Sequence, residues 1–228
     1  YSKIGQIYLE NHDYKQALDY FQKGNEVLLE FKLEQEAPYA YNCRDFGLAF
    51  YGLKDYDRSV QWLNQALHIF QGPDSTSSMG IDQCYLILQI GRALTAKGDY
   101  EAGIRSFDEC KKMSAWLYGP DNLLFYELYA EIAHANVQLY SKTGEEKYLE
   151  KGREHYRLME NGVEQQLQNE SYQGTEKKLL FEALPYFERA IRTELLYLKS
   201  HPDNLAALEK SWELSEAMHA QLLLSAVR

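Results

Sequence analysis

Five prolines, three cysteines, no basic block and no long apolar run in 228 residues remove several classes of protein at once. No stretch approaches the roughly 20 consecutive apolar residues with which a helix spans a bilayer. The 24 Lys and Arg are scattered among 34 Asp and Glu, and the resulting net charge of −10 disfavours a nucleic-acid backbone or an anionic membrane as partner. Cys43, Cys84 and Cys110 are odd in number and far apart. That is no disulfide framework, and it points to a reducing compartment, read here as the cytoplasm. With 14 Gly, 45% apolar and 25% charged residues, the composition is that of a folded chain rather than a linker. The one excess is 19 tyrosines, whose amphipathic rings suit helix seams and recognition surfaces equally. The chain opens at Tyr1 inside what reads as a helix and without Met, so it is expected to be a piece of something longer.

What is present is an internal repeat. Gly5, Gly47 and Gly91 lie inside stretches that otherwise read as helix, spaced by 42 and 44 residues. At fixed offsets follow Tyr14, Tyr56 and Tyr100, then the small Ala17, Ser59 and Gly103, then the large Phe21, Leu63 and Phe107, then Gly24, Ala66 and Cys110. A glycine inside a helix costs about 0.5–1 kcal/mol against alanine, so three in one phase imply that something approaches the backbone closely there. The second helix of the same unit is the simplest candidate.

Polar breaks separate the two helices of each unit: Asn11-His12-Asp13, Lys54-Asp55 and Lys97-Gly98-Asp99. They are short enough to keep an antiparallel pair in contact. The longer connections carry Pro38, Gly72-Pro73-Asp74 and Gly119-Pro120-Asp121, each placing Pro where a helix can begin. A fourth unit has Ile132-Ala133 in the glycine position, Gly152, Tyr156 and Met159 on its second helix, and a longer turn from Ser141 to Glu146. The last unit is degenerate, with a helix from about Glu176 to Lys199 expected to kink at Pro185, a break at His201-Pro202-Asp203, and a helix from about Asn204 to Val227. The expected units are about 1–34, 35–76, 77–118, 119–170 and 171–228, stacked as one domain.

These residues match the tetratricopeptide repeat: Gly three residues before Tyr8, Phe50 or Leu94, then the small and large positions of the second helix. The family's usual period is 34; the extra eight or so resemble the longer variety of kinesin light chains and bacterial arrays. The resemblance implies an all-α fold, a right-handed superhelical solenoid of antiparallel helix pairs. The segment from Leu179 to Arg228, with Trp212-Glu213-Leu214-Ser215-Glu216-Ala217-Met218-His219-Ala220-Gln221-Leu222-Leu223, resembles the helical pair that closes the repeat region of CHAT proteins, mostly bacterial caspase-like cysteine peptidases. Thr143-Gly144 and Tyr148-Leu149-Glu150-Lys151 resemble that family too. The resemblance implies a regulatory repeat region ahead of a protease domain in cis, whose catalytic His and Cys have no counterpart here.

Chemistry is scarce in the pattern. The cysteines fall at packing positions, and His12, His68, His155 and His219 have no paired ligand at metal spacing, so no cofactor or metal is expected. The carboxylates read as solvated helix faces, and the chain as no enzyme. Binding is the better reading, because solenoids recognise partners on the surface that the first helices line. Counting six and three residues before the glycine and one and four after it gives a stripe per unit. The second unit presents Tyr41, Arg44, Leu48 and Tyr51; the third Tyr85, Leu88, Arg92 and Thr95; the fourth Glu127, Ala130, His134 and Val137. Such a stripe suits an extended peptide with aromatic or acidic anchors, although the rings also suit packing between helices. The clamp that grips chaperone tails in similar repeats is missing, since its positions carry Ser2, Gln6, Asp45, Tyr85 and Gln89.

Overall fold

Every element among the described residues is a helix. The computed structural model describes residues 1–72, 79–119, 124–168 and 176–226, which fall into two compact units, Tyr1–Leu117 and Tyr118–Arg228. The connections holding Pro73, Asp74, Pro120 and Asp121 lie outside the described residues, as do the side chains of His219 and the residues that follow it. The first unit contains α1 (Ser2–Glu10), α2 (Tyr14–Glu30), α3 (Ala37–Gly52), α4 (Tyr56–Phe70), α5 (Met79–Lys97) and α6 (Tyr100–Tyr118, its last residue past the division). In the second are α7 (Leu124–Thr143), α8 (Glu146–Gln168), α9 (Glu176–Ser200) and α10 (Leu205–Ala226).

The short turns share one local device. His12, Lys54 and Gly98 each adopt positive φ, at 61°, 62° and 95°, which ends one helix and reverses the chain. The next residue is always Asp, and its carboxylate accepts the backbone N–H three residues on: Asp13 from Gln16, Asp55 from Arg58, Asp99 from Ala102. An N-cap of this kind satisfies one of the four free donors at a helix start. Gly144, at φ 71°, serves the longer turn between α7 and α8. Pro38 sits in the first turn of α3, where its missing N–H costs nothing. Pro185, expected to kink its helix, lies inside α9, which continues through it as one element.

The repeat glycines do what their phase requires. A methyl group on Gly47 would lie 2.6 Å from Leu63 Cγ, one on Gly91 2.5 Å from Phe107 Cε1, and one on Gly5 would run into the Phe21 ring. Each glycine therefore makes room for the large residue sixteen positions later on the partner helix. Phe21, Leu63 and Phe107 are completely buried as a result. The small positions serve the same approach from the other side: a side chain on Gly103 would meet the carbonyl oxygen of Gly91 at 3.1 Å, and one on Gly152 that of Ala133 at 3.3 Å. Around these contacts the first unit buries Phe46, Phe50, Phe70 and Leu86, with Phe46 stacked on Trp62 at 4.5 Å. Tyr156, Met159, Val163 and Phe187 form the main cluster of the second.

Candidate functional site

The stripe expected on the first helices is partly outward and partly sealed. Tyr41, Tyr51 and Tyr85 are exposed, at 37%, 38% and 40%, and Arg44, Leu48 and Arg92 are half-buried. Leu88 and Thr95 are buried and present no surface for a partner, which corrects their place in the stripe. The reason is angular. At 3.6 residues per turn, positions six before and one after the glycine lie about 120° and 100° from its direction, whereas positions three before and four after lie only about 60° and 40° away. The glycine points at the partner helix, so the latter two turn inward with it. Tyr51 escapes because it is the next-to-last residue of α3.

A polar chain joins the three first helices of this unit. Gln6 Nε2, on α1, donates to Asp45 Oδ2 on α3 at 2.8 Å, and Arg44 binds Asp45 Oδ1 through Nε at 2.9 Å and a second guanidinium nitrogen at 2.7 Å. The Arg44 guanidinium lies 5.1 Å from the Tyr41 ring, and the Tyr41 hydroxyl donates to Asp82 Oδ2 on α5 at 3.0 Å. Asp45 is almost fully buried, and that burial pushes its carboxyl above the ordinary Asp value against the pull of Arg44 and Gln6. Arg44 is thus committed to a carboxylate inside the chain. Residues that fail as a chaperone-tail clamp, Gln6 and Asp45, are here the anchor of an inter-helix network; the sequence signal is a carboxylate immediately before the repeat Phe46-Gly47 face, too short a cue to find it.

In the second unit Glu127 accepts a hydrogen bond from the Tyr186 hydroxyl at 3.3 Å, and Ala130 is buried. His134 and Val137 border a cleft of about 490 Å³ that Gln138, Tyr156, Arg189 and Arg192 also line. Arg192 holds Glu188 at 2.6 Å, and Arg189 approaches Glu131 at 3.9 Å, so both cations have carboxylates of the chain beside them. Burial holds the His134 imidazole below its ordinary value; Arg189 lowers it further and Glu131 opposes both. His134 therefore stays neutral in the fold at pH values where an unfolded histidine is protonated. With the folded value depressed, the unfolded chain binds more protons, so stability falls as pH drops through about 6.5 toward the folded value. Urea unfolding of His134→Gln between pH 7.5 and 5 is expected to lose stability less steeply than the parent; parallel curves would refute this.

Among the described residues no group of three or more His, Cys, Asp or Glu is placed to hold a metal, and no helix is long and apolar enough to cross a membrane. Burial pushes the Cys43 thiol up to about 12, which makes it inert. One juxtaposition escaped the sequence. Cys84 on α5 and Cys110 on α6 meet with their sulfurs 2.9 Å apart.

The tetratricopeptide repeat model matches residues 1–27 and 85–115. Those segments are most of α1 with α2 and of α5 with α6. No curated protein sequence matches the chain. Among solved structures, the nearly identical TPR-like repeats described as those of a putative kinesin light chain of Podosopora anserina superpose with a TM-score of 0.67 at 13% identity, covering 100% of this chain and 95% of that one. The crystal structure of a single-substitution variant of those repeats gives 0.69 at 12% identity with the same coverage. At such identities the likeness is one of fold.

Proposed function

We propose that this chain, an array of tetratricopeptide-type helix pairs, is a non-catalytic scaffold that binds a protein or peptide partner along its first helices, and that it regulates a caspase-like CHAT peptidase domain joined to it. The observation that carries the binding reading is the set of exposed rings, Tyr41, Tyr51 and Tyr85, of which Tyr41 belongs to a hydrogen-bonded network that joins α1, α3 and α5. Rigid aromatic side chains on regular elements are what recognition surfaces use, because little rotamer freedom is lost on contact. An aromatic or apolar anchor on the partner fits these rings. The expected acidic anchor has less support, since Arg44 is already paired with Asp45.

The reading of an attached peptidase rests on the closing segment from Leu179 onward. In its favour, α10 presents Leu205, Leu208 and Trp212 outward at helical spacing, a stripe that a following domain would cover. A free-standing adaptor is the alternative, and the coding sequence downstream decides between them. The same reading places the protein in the cytoplasm, where Cys43, Cys84 and Cys110 stand as free thiols unless an oxidant is supplied.

The test is capture of partners from the source cell by the immobilised chain, with Tyr51→Ala/Tyr85→Ala alongside. The expected result is a partner held by the parent and weakened at least about tenfold by the double substitution, with helicity unchanged. Equal capture by both would reject the stripe.

A further inference from the structure

We propose that Cys84 and Cys110 are a site of intrachain disulfide formation that ties α5 to α6 at the end of the pair remote from the Gly98 turn. The inference does not depend on the partner-binding reading.

The geometry is built into the repeat. Cys110 stands nineteen residues after Gly91, and Cys84 seven before it, which at 3.6 residues per turn puts Cys84 within about 20° of the glycine's own direction, toward the partner helix. In the second helix pair the same positions hold Ala40 and Ala66, both completely buried in one core cluster. The contact is thus one where side chains must be small and helices lie close, the condition for a short cross-link. In the third pair both positions carry sulfur. The two Sγ atoms are 2.9 Å apart, Cys110 Sγ donates to the Cys84 carbonyl at 3.2 Å, and Cys84 Sγ to the Cys110 carbonyl at 3.5 Å. The third thiol, Cys43, lies on α3 outside this helix pair, and its burial keeps it protonated.

Cys84 and Cys110 are 2% and 0% exposed, so an oxidant reaches them during folding or when the pair opens. With glutathione disulfide as oxidant, the Cys84 thiolate attacks one glutathione sulfur and expels a glutathione thiolate. The Cys110 thiolate then attacks the Cys84 sulfur of the mixed disulfide and expels the second. Two protein thiols lose their protons and are oxidised, and one glutathione disulfide is reduced to two thiols.

The test is refolding of the whole chain in a buffer of reduced and oxidised glutathione, followed by acid quench, denaturation, alkylation with N-ethylmaleimide and mass spectrometry. The expected product carries one alkylated thiol, Cys43, and a cross-linked peptide joining Cys84 to Cys110. Cys84→Ser and Cys110→Ser should each leave two alkylated thiols. The linked form should melt about 5–10 °C above the reduced one, a shift absent from both serine variants. Three alkylated thiols, glutathione adducts in place of the link, or a bridge to Cys43 would overturn the proposal. So would a linked form that melts below the reduced one, because the bridge would then distort the pair.

Discussion

Glu194→Ala is expected to destabilise the second unit by about 3–5 kcal/mol. The carboxylate lies on α9 with 4% of its side chain exposed, and it receives Arg153 Nε at 3.0 Å to each oxygen and a second guanidinium nitrogen at 2.7 Å. Arg153, on α8, is itself only 12% exposed and lies over the Tyr197 ring at 3.6 Å. Removing the carboxylate leaves a planar cation enclosed by an aromatic ring and two helices, with no acceptor for its donors. An uncompensated charge of that kind costs far more than the pair contributes by existing. The converse follows: Arg153→Met with Glu194→Leu should recover most of the loss, because two apolar side chains of similar length leave nothing unpaired. Urea midpoints of the single and double variants decide the matter. A loss below about 1 kcal/mol for Glu194→Ala would mean that water reaches the pair freely.

Phe107→Ala should cost about 3–5 kcal/mol, the usual penalty for emptying a fully buried aromatic site. The more discriminating result concerns Gly91. Alanine there gains up to about 1 kcal/mol of helix propensity. It also drives a methyl group to 2.5 Å from Phe107 Cε1, and overpacking of that degree costs about 1–3 kcal/mol. In the parent the steric cost wins, and Gly91→Ala destabilises. In the Phe107→Ala background the ring is gone, only the propensity gain remains, and the same substitution stabilises. This change of sign is the signature of direct contact. Effects that add within about 0.5 kcal/mol across the cycle would show that glycine and phenylalanine do not touch.

That pairing of Gly91 with Phe107 is legible in the sequence because it is local and repeated: an unfavourable residue at one offset and a large one at another recur together. The helix ends are legible for the same reason, each Asp capping the helix that begins beside it. The binding stripe reads less well. Counting offsets puts four positions on one face, but Leu88 and Thr95 lie within about 60° of the glycine's direction, and a helix that packs on that side carries them into the seam. Asp45 is invisible for another reason. Its partners, Gln6 and Arg44, come from a different helix and from the adjacent residue, and no periodic pattern encodes a contact across 39 positions. The cysteines show the opposite failure. Their linear separation suggests independence, although the repeat register already places Cys84 and Cys110 across one helix pair.

The network that starts at Gln6 ties the second helix pair to the first by something other than oil-like contact. Asp45 is a carboxylate in a nearly waterless place, and part of what shelters it, the Gln6 amide, belongs to the helix in front. Hydrophobic seams between neighbours are forgiving, since a lost contact can be filled by a shifted side chain, whereas a sheltered anion has no such substitute. Peeling α1 away therefore strips an amide from a charge that α3 cannot hydrate without loosening.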